Sequence, residues 1–241
     1  MHAKNLDFIN AHEHIVIGQG ESSKTFVKIE DVYRQLLNMG ADRSTFIIGM
    51  GGGIVTDITG FVASTYMRGV RFAFLPTTLL GQVDASIGGK NGVNLDGYKN
   101  IIGVFSQPSF VLCDPALLNS LSDREFRAGL AEVVKAAVIG DTGLFTLLEK
   151  HSFEEIRSDT ELLHEIILRA IKVKTSIVER DQHEYGERRK LNLGHTFAHA
   201  IEKSFSNMSH GEAVAVGICM ICNAAVRAGR LDAATSSRII N

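Results

Sequence analysis

Apolar residues in the first half of the chain alternate between short runs and longer stretches at helical spacing. The short runs predict strands at residues 14–18, 45–49, 72–76 and 110–113. The run at 45–49 is continuously apolar, as expected for a parallel strand covered on both faces. Apolar positions three and four apart predict helices over residues 27–39 and 54–66. Strand, helix and strand in this order form right-handed βαβ units, so we expect an α/β domain with a parallel sheet.

The pattern changes near Ser122, after which no convincing strand pattern is found. Helical spacing predicts helices over residues 125–139, 144–150, 161–179, 191–204 and 212–229. We therefore expect two domains, residues 1–121 and residues 122–241. A cleft between an α/β domain and a helical domain is the default site for a small ligand.

Composition excludes several classes of protein. The chain has 241 residues, of which 45% are hydrophobic and 22% charged, and its net charge is −2. A near-neutral chain lacks the charge that attracts nucleic acid or an anionic membrane surface. No apolar run approaches the roughly 18 residues of a membrane helix, no signal-peptide pattern opens the sequence, and three cysteines make no disulfide framework. We expect a cytoplasmic protein that binds neither nucleic acid nor membranes.

Three consecutive glycines, Gly51 to Gly53, join a predicted strand to a predicted helix. Glycine lets a backbone approach a pyrophosphate closely, and the N-terminus of the next helix offers free N–H groups. The spacing is not the G-x-G-x-x-G of dinucleotide-binding turns. The pattern favours phosphate binding, and the alternative is a tight turn that needs glycine for packing.

A second polar stretch, residues 76–100, combines charged and amide side chains with glycines and little helix propensity. Its lysines, Lys90 and Lys99, can hold phosphate as point charges. Its aspartate, Asp84, can bind a sugar hydroxyl or orient a lysine. The alternative is a solvated loop without function.

The helical half contains donors suited to a metal. Glu132 and Lys135 are three residues apart on a helix face flanked by Ala and Val, and a buried carboxylate needs a partner. Asn192, His195 and His199 are predicted to share one helix face. Glu132 offers a carboxylate, and these histidines and His210 offer imidazoles, which together are the donor set of catalytic zinc sites. The alternative is a set of structural histidines, and we interpret Cys219 and Cys222 as core residues because no second Cys pair accompanies them.

Together these motifs resemble the 3-dehydroquinate synthases of the sugar-phosphate cyclase superfamily. The resemblance runs in order from about Gly18 to the end of the sequence. Its matching segments are residues 51–61, 66–69, 76–80, 83–90, 129–132, 192–196 and 210–212.

The resemblance implies a role for individual residues. Those implied to contact NAD are Glu21, Lys24, Gly52, Gly53, Asp57, Thr77, Thr78, Lys90 and Lys99. Those implied to bind the metal, zinc or alternatively cobalt, are Glu132, His195 and His210. Those implied to act on the substrate and its phosphate are Asp84, Lys90, Asn100, Lys135, Lys174, Arg188, Asn192 and His199.

The resemblance also implies a fold and a reaction. The fold would be a Rossmann-like NAD-binding domain followed by an all-helical domain that binds metal and substrate. The reaction would cyclise 3-deoxy-D-arabino-heptulosonate 7-phosphate to 3-dehydroquinate with release of phosphate, in the shikimate pathway. Family members carry further structure before and after the matched region, so both domains are expected to be incomplete here. The expected partners are a sugar phosphate and a second copy of the chain, in a homodimer.

Three alternatives stay open at this point. The first is a sibling cyclase of the 2-epi-5-epi-valiolone or 2-deoxy-scyllo-inosose synthase type. The second is a metal-dependent polyol dehydrogenase, which would accumulate NADH. The third is a catalytically incomplete fragment or an interaction module.

Overall fold

The computed structural model describes residues 12–205 and 207–241. The chain divides into two compact units, and the boundary along the sequence lies between Leu121 and Ser122. They are called here the N-terminal unit and the C-terminal unit, and each is described by itself.

The N-terminal unit contains the predicted βαβ unit. Its elements are helix α1 (Phe26–Asn38), strand β1 (Phe46–Gly51), helix α2 (Gly53–Thr65) and strand β2 (Arg71–Pro76). Strands β1 and β2 are parallel, with Phe46 opposite Arg71 and Gly51 opposite Pro76. This confirms the α/β class and the parallel sheet. Both helices bury apolar faces in one core, which includes Ile29, Val32, Ile58, Phe61, Phe72 and Phe74.

Part of the polar stretch at residues 76–100 is a β-hairpin, which the sequence pattern did not predict. Strands β3 (Lys90–Leu95) and β4 (Tyr98–Phe105) pair antiparallel. Asp96 and Gly97 turn the chain between them with positive φ angles of 49° and 82°, as two-residue hairpin turns require. Because these strands contain polar and glycine residues, their sequence lacks the alternation of apolar and polar positions that predicts a strand. A Cβ at Gly103 would lie 2.6 Å from the backbone oxygen of Asn91, so packing requires glycine there.

Two of the predicted strands are wrong. Residues 14–18 form no strand in the described structure, although Ile15 and Ile17 pack against the core and Val16 between them is 75% exposed. The side chains at residues 15–17 therefore alternate between the core and solvent as in a strand, but the backbone does not pair in a β-ladder. Residues 110–113 make a single parallel bridge, from Val111 to Phe74, and a 3-10 turn follows at Pro115–Leu118.

The C-terminal unit is helical, and no strand occurs in its described residues, 122–205 and 207–241. Its helices are α3 (Asp123–Gly140), α4 (Thr142–Lys150), α5 (Phe153–Ser158), α6 (Thr160–Arg180), α7 (His195–Ser204), α8 (His210–Arg227) and α9 (Ala233–Ile240). Side chains of Ser or Asp cap six of them, at Ser122, Asp141, Ser152, Asp159, Ser209 and Asp232.

The start of the helix predicted over residues 191–204 is wrong by four residues. Glu187–Asn192 form a 3-10 turn, and Gly194 follows in the left-handed conformation with φ of 79°. Helix α7 therefore begins at His195. Asn192 lies outside it, so the prediction that Asn192 shares a helix face with His195 and His199 is also wrong.

Candidate functional site

Three helices of the C-terminal unit each supply one candidate metal ligand. Glu132 lies within α3, whereas His195 and His210 are the first residues of α7 and α8. Two glycines of α8 make this convergence possible. A Cβ at Gly211 would lie 2.0 Å from the carbonyl oxygen of Ala128, and one at Gly217 would lie 2.2 Å from that of Gly194. Helix α8 therefore lies against the backbone of α3 and of the turn that precedes α7.

The three side chains converge on one carboxylate oxygen. Oε1 of Glu132 lies 3.5 Å from Nε2 of His210 and 3.8 Å from Nε2 of His195. One ligand atom from each residue lies within 4.8 Å of the other two. Tetrahedral ligands about 2.0–2.2 Å from a zinc ion lie about 3.3 Å from one another. The donor set and its spacing fit such an ion.

The other oxygen of Glu132 has a different partner. Oε2 forms an ion pair with the ammonium of Lys135, one turn further along α3. The two residues are only 2% and 3% exposed. Burial of an unpaired carboxylate would be expensive, and the structure supplies the partner that the sequence pattern requires. Glu132 thus presents one oxygen to its lysine and one to the imidazoles.

The two imidazoles lie in different electrostatic environments. Burial, together with the positive charge of Lys135, lowers the pKa of His195 below its ordinary value. Burial also opposes the charged form of His210, but the carboxylates of Glu132 and Glu202 outweigh it and raise the pKa of this imidazole to about 9. The two carboxylates therefore stabilise the positive charge of a protonated His210.

Each histidine also has a partner at its second ring nitrogen. Nδ1 of His195 lies 3.2 Å from the backbone oxygen of Leu193, and Nδ1 of His210 lies 3.5 Å from Oε1 of Glu202. Glu202 was not predicted from the sequence, because its partner, His210, lies on a different helix.

Two other predicted substrate residues lie in or next to the loop between α6 and α7. The backbone N–H of Arg188 donates to Oδ2 of Asp181 (2.9 Å), and its buried guanidinium donates to the backbone oxygen of Gln182. Asn192 is exposed and donates its amide to Glu184 (2.6 Å). Elsewhere in the unit, Lys174 is buried within α6, and His199 is exposed on α7 with its ring centroid 5.7 Å from that of His195.

In the N-terminal unit, four predicted residues form one network. The buried ammonium of Lys24 contacts both the carboxylate of Asp57 on α2 and the amide oxygen of Asn100 on β4. Asn94, for which no role was predicted, extends the network. Its amide donates to Glu21 (2.7 Å), and its oxygen accepts from the backbone N–H of Asn100 (2.8 Å).

The glycine turn and the threonines that follow β2 are neighbours. Gly52 precedes α2, whose N-terminus has no side-chain cap, and a Cβ at Gly52 would lie 3.1 Å from Cγ2 of Thr78. The backbone N–H of Thr77 donates to the oxygen of Gly51 (2.9 Å). A Cβ at Gly53 would lie 3.2 Å from Ala85. The backbone here has the close, uncapped form that a pyrophosphate requires.

Three predicted residues of this unit lie in the β3–β4 hairpin and in the turn before it. Lys90 opens β3 opposite Phe105, whereas Lys99 lies in β4 beside the Asp96–Gly97 turn. The two exposed lysines therefore occupy opposite ends of the hairpin. Asp84 is half-buried in a π-helical turn, Gly81–Ala85.

The cysteines take no part in a metal cluster of the described residues, in which Glu132, His195 and His210 form the single group of three or more donors. Cys222 is buried and Cys219 half-buried within α8. Burial raises the pKa of the Cys222 thiol, and it raises that of Cys113 to about 11. None of the helices in the described structure combines the length and apolar character needed to cross a membrane.

Two family models match consecutive parts of the chain. Residues 14–128 match the N-terminal part of 3-dehydroquinate synthase, and residues 129–241 match its C-terminal part. Among curated relatives, the 3-dehydroquinate synthase of Blochmanniella pennsylvanica is 43% identical over 94% of this chain and 63% of its own. That of Dictyoglomus thermophilum is 44% identical over 93% of this chain and 64% of its own. The chain thus spans about 63% of the length of these relatives.

Solved structures with a similar fold include two sugar-phosphate cyclases. A 2-epi-5-epi-valiolone synthase of Streptomyces hygroscopicus, with NAD+ and Zn2+ bound, is 34% identical with a TM-score of 0.88, over 93% of this chain and 64% of its own. A 2-deoxy-scyllo-inosose synthase, in complex with carbaglucose-6-phosphate, NAD+ and Co2+, is 30% identical with a TM-score of 0.87, over 94% and 62%. A probable glycerol dehydrogenase of Sinorhizobium meliloti, 17% identical over 97% and 70% with a TM-score of 0.67, shares the fold alone. By its sequence and its fold, the chain belongs to the 3-dehydroquinate synthase family.

Proposed function

We propose that this chain carries the NAD- and metal-binding parts of a 3-dehydroquinate synthase. The reaction is the cyclisation of 3-deoxy-D-arabino-heptulosonate 7-phosphate to 3-dehydroquinate with elimination of phosphate, a lyase reaction of the shikimate pathway. The observation that carries the proposal is the buried Glu132 carboxylate, which faces the Nε2 atoms of His195 and His210 at 3.8 Å and 3.5 Å. A carboxylate and two imidazoles are three protein ligands, and they leave a fourth position for substrate.

The degree of similarity favours the dehydroquinate branch over its siblings. The chain is 43% and 44% identical to the two 3-dehydroquinate synthases, but 34% and 30% identical to the two sibling cyclases. The resemblance to polyol dehydrogenases extends to the fold alone. We therefore keep the sibling cyclases as the second candidate.

We propose that zinc, or cobalt in its place, is held by Glu132, His195 and His210. Lys135 supports this set because it neutralises the carboxylate oxygen that faces away from the imidazoles. When bound, NAD+ would supply a hydride acceptor that is regenerated within each turnover, and the metal would supply a Lewis acid at the substrate oxygens. The protein's own task is to bind and orient each of them.

For NAD we propose the glycine turn and the Lys24 network. The uncapped N-terminus of α2, preceded by Gly52 and Gly53, would receive the pyrophosphate, with Thr77 and Thr78 beside the turn. Glu21, Lys24 and Asp57 already hold one another in place through Asn94 and Asn100. Lys90 and Lys99 are the remaining proposed contacts.

For the substrate we propose three functions among the predicted residues. In the C-terminal unit, the cationic side chains of Lys174 and Arg188 would neutralise the phosphate, and Arg188 can do so with two donors at once. In the N-terminal unit, Lys90 is a proposed substrate contact. Asp84, Asn100 and Asn192 would bind hydroxyl groups. Lys135 and His199 border the candidate metal ligands along α3 and α7 and would contact the reacting part of the sugar.

We further propose a cytoplasmic homodimer that binds a sugar phosphate and no nucleic acid. The net charge of −2 supports the last point. Strand β1 supports the dimer, because among the described strands it pairs on one side alone, with β2. Its side chains Phe46 and Ile48 are 37% and 53% exposed. An unpaired edge of this kind is a template for pairing with a second copy.

The test is phosphate release from 3-deoxy-D-arabino-heptulosonate 7-phosphate in the presence of NAD+ and Zn2+, with and without a chelator. We expect release that the chelator abolishes and no net accumulation of NADH. Glucose 6-phosphate and glycerol serve as the comparison substrates.

Each other outcome contradicts a stated part of the proposal. Faster release from glucose 6-phosphate would assign the protein to the sibling cyclases of the 2-deoxy-scyllo-inosose synthase type. Stoichiometric NADH from glycerol would make it a dehydrogenase. No release from protein that binds zinc would mark the chain as catalytically incomplete.

A further inference from the structure

We propose that Glu202 is a positioning residue, which holds the imidazole of His210 so that Nε2 is presented to the metal. The inference rests on the proposed metal site. It adds to that site a residue outside the ligand set, from a helix that also supplies His195.

The two nitrogens of His210 face different carboxylates. Nδ1 lies 3.5 Å from Oε1 of Glu202, and Nε2 lies 3.5 Å from Oε1 of Glu132. A metal bound at Nε2 takes the place of a proton there and leaves one proton on the ring, and the carboxylate at Nδ1 accepts a hydrogen bond from that proton. A carboxylate in this position also makes the ligating nitrogen more basic.

Burial makes the contact of Glu202 more than a surface ion pair. Its side chain is 7% exposed, and that of His210 is 33% exposed. A buried charge is tolerated only where its partners compensate the free energy of the lost hydration. The ring of His210 therefore lies between two carboxylates that both restrict its rotation.

The backbone of His210 is held independently of Glu202. Ser209 and Glu212 form a capping box around the first turn of α8, and Gly211 lies against the backbone of α3. Removal of the Glu202 carboxylate should consequently free the ring of His210 and leave the helix in place. His195 provides the contrast, because its Nδ1 faces a backbone carbonyl that no substitution removes.

The experiment measures metal binding rather than turnover. Apoprotein of the wild type, Glu202→Gln and Glu202→Leu is titrated with Zn2+ in competition with a chromophoric chelator, and with Co2+ while its visible absorption spectrum is recorded. We expect zinc to bind about 10-fold more weakly to Glu202→Gln and up to about 100-fold more weakly to Glu202→Leu. The cobalt spectrum of both should change, because the orientation of one ligand changes.

The matched control is Glu161→Gln, which removes an exposed carboxylate from the first turn of α6. It should bind zinc like the wild type and give the same cobalt spectrum. Circular dichroism and thermal unfolding of the apoproteins establish that each variant is folded. If Glu202→Leu does not fold, Glu202→Gln decides the question.

Unchanged zinc affinity together with an unchanged cobalt spectrum in Glu202→Gln would overturn the inference and leave the metal site standing. A lower stability of the apoprotein with unchanged metal binding would also overturn it, since that result describes a structural ion pair. If the wild type binds no zinc, or His195→Ala binds it equally well, the metal site itself is refuted.

Discussion

The N-terminal unit holds its candidate side chains by direct bonds to one another, whereas the C-terminal unit brings its candidate ligands together by the packing of helices. Lys24 connects Asp57 on a helix with Asn100 on a strand, and Asn94 extends the connection to Glu21. Glu132, His195 and His210 instead depend on how α8 lies against α3 and α7.

Because of this difference, the two sites should tolerate different substitutions. A network of polar side chains fails when one of its members is removed, because the partners lose their hydrogen bonds. A site between packed helices fails either when a ligand is lost or when a helix is displaced.

The largest effect is expected for Glu132→Gln. The variant should lose bound zinc, and the C-terminal unit should be destabilised by about 3–5 kcal/mol, because Lys135 stays buried without its carboxylate partner. Metal content by mass spectrometry and chemical denaturation measure the two effects. The double variant Glu132→Gln/Lys135→Met should regain most of the stability but no zinc. Zinc retained in either variant would remove Glu132 from the ligand set.

Gly211→Ala tests the displacement of a helix. The added Cβ would lie 2.0 Å from the carbonyl oxygen of Ala128, so α8 must move away from α3. We expect a loss of about 1–3 kcal/mol in stability, as for overpacking, and weaker zinc binding. The control is Gly229→Ala near the end of α8, which has open space but a φ of 66° and should cost about 1–2 kcal/mol without weakening zinc binding. Equal zinc affinities in the two variants would show that packing at Gly211 does not position His210.

Lys24→Met tests the polar network. Removal of the ammonium leaves Asp57 and Asn100 without their common partner, and we expect NAD affinity to fall about tenfold, which is the size of one hydrogen bond to a charged group. Fluorescence titration with NADH measures the affinity, and zinc content should not change. Lys28→Met is the control, since Lys28 pairs with Asp31 at the surface of α1. Affinity as high as in this control would contradict a role for Lys24 in NAD binding.

The smallest effect is a dependence of stability on pH through Asp141. A hydrogen bond from Arg169 lowers the pKa of this carboxyl below 3.8, the value of an unperturbed aspartate. Its contribution is therefore complete above the unfolded pKa and lost as the pH falls through the folded one. Asp141→Asn keeps the cap on α4 and should cost about 1 kcal/mol or less at pH 7, because the pair is partly exposed.

Thermal unfolding of the wild type and Asp141→Asn at several pH values checks this. The difference between their midpoints should shrink below about pH 4, towards the ordinary pKa of aspartate. A difference that stays constant from pH 7 to pH 3 would contradict the assignment.

The elements that sequence patterns predicted well are those whose own residues carry the signal. Strand β1 is a continuous apolar run, and helices α1, α3 and α6 have apolar faces at helical spacing. The β3–β4 hairpin carries no such signal, because its glycines and amides serve close strand packing and a tight turn. Helix α7 was predicted too early because a single left-handed glycine, Gly194, ends the preceding turn.

The same distinction holds for the candidate site, of which one part was predictable from the sequence and another was not. The types and order of its residues, from the glycine turn to His210, are visible in the sequence and identify the family. Asn94 and Glu202 were missed because each is an ordinary polar residue whose importance lies in its neighbours. Lys90 and Lys99 were grouped by their closeness in sequence, and the hairpin separates them.

By itself, the sequence determined which local elements form and which chemical groups the chain contains, because periodicity, caps and residue types act over a few positions. Tertiary structure alone decided that Oε1 of Glu132 faces both imidazoles and that Glu202 lies behind one of them. Those relations join residues up to 78 positions apart, as between Glu132 and His210. They follow from how closely the backbones approach each other at Gly211 and Gly217. This closeness is a property of packed surfaces rather than of any one segment.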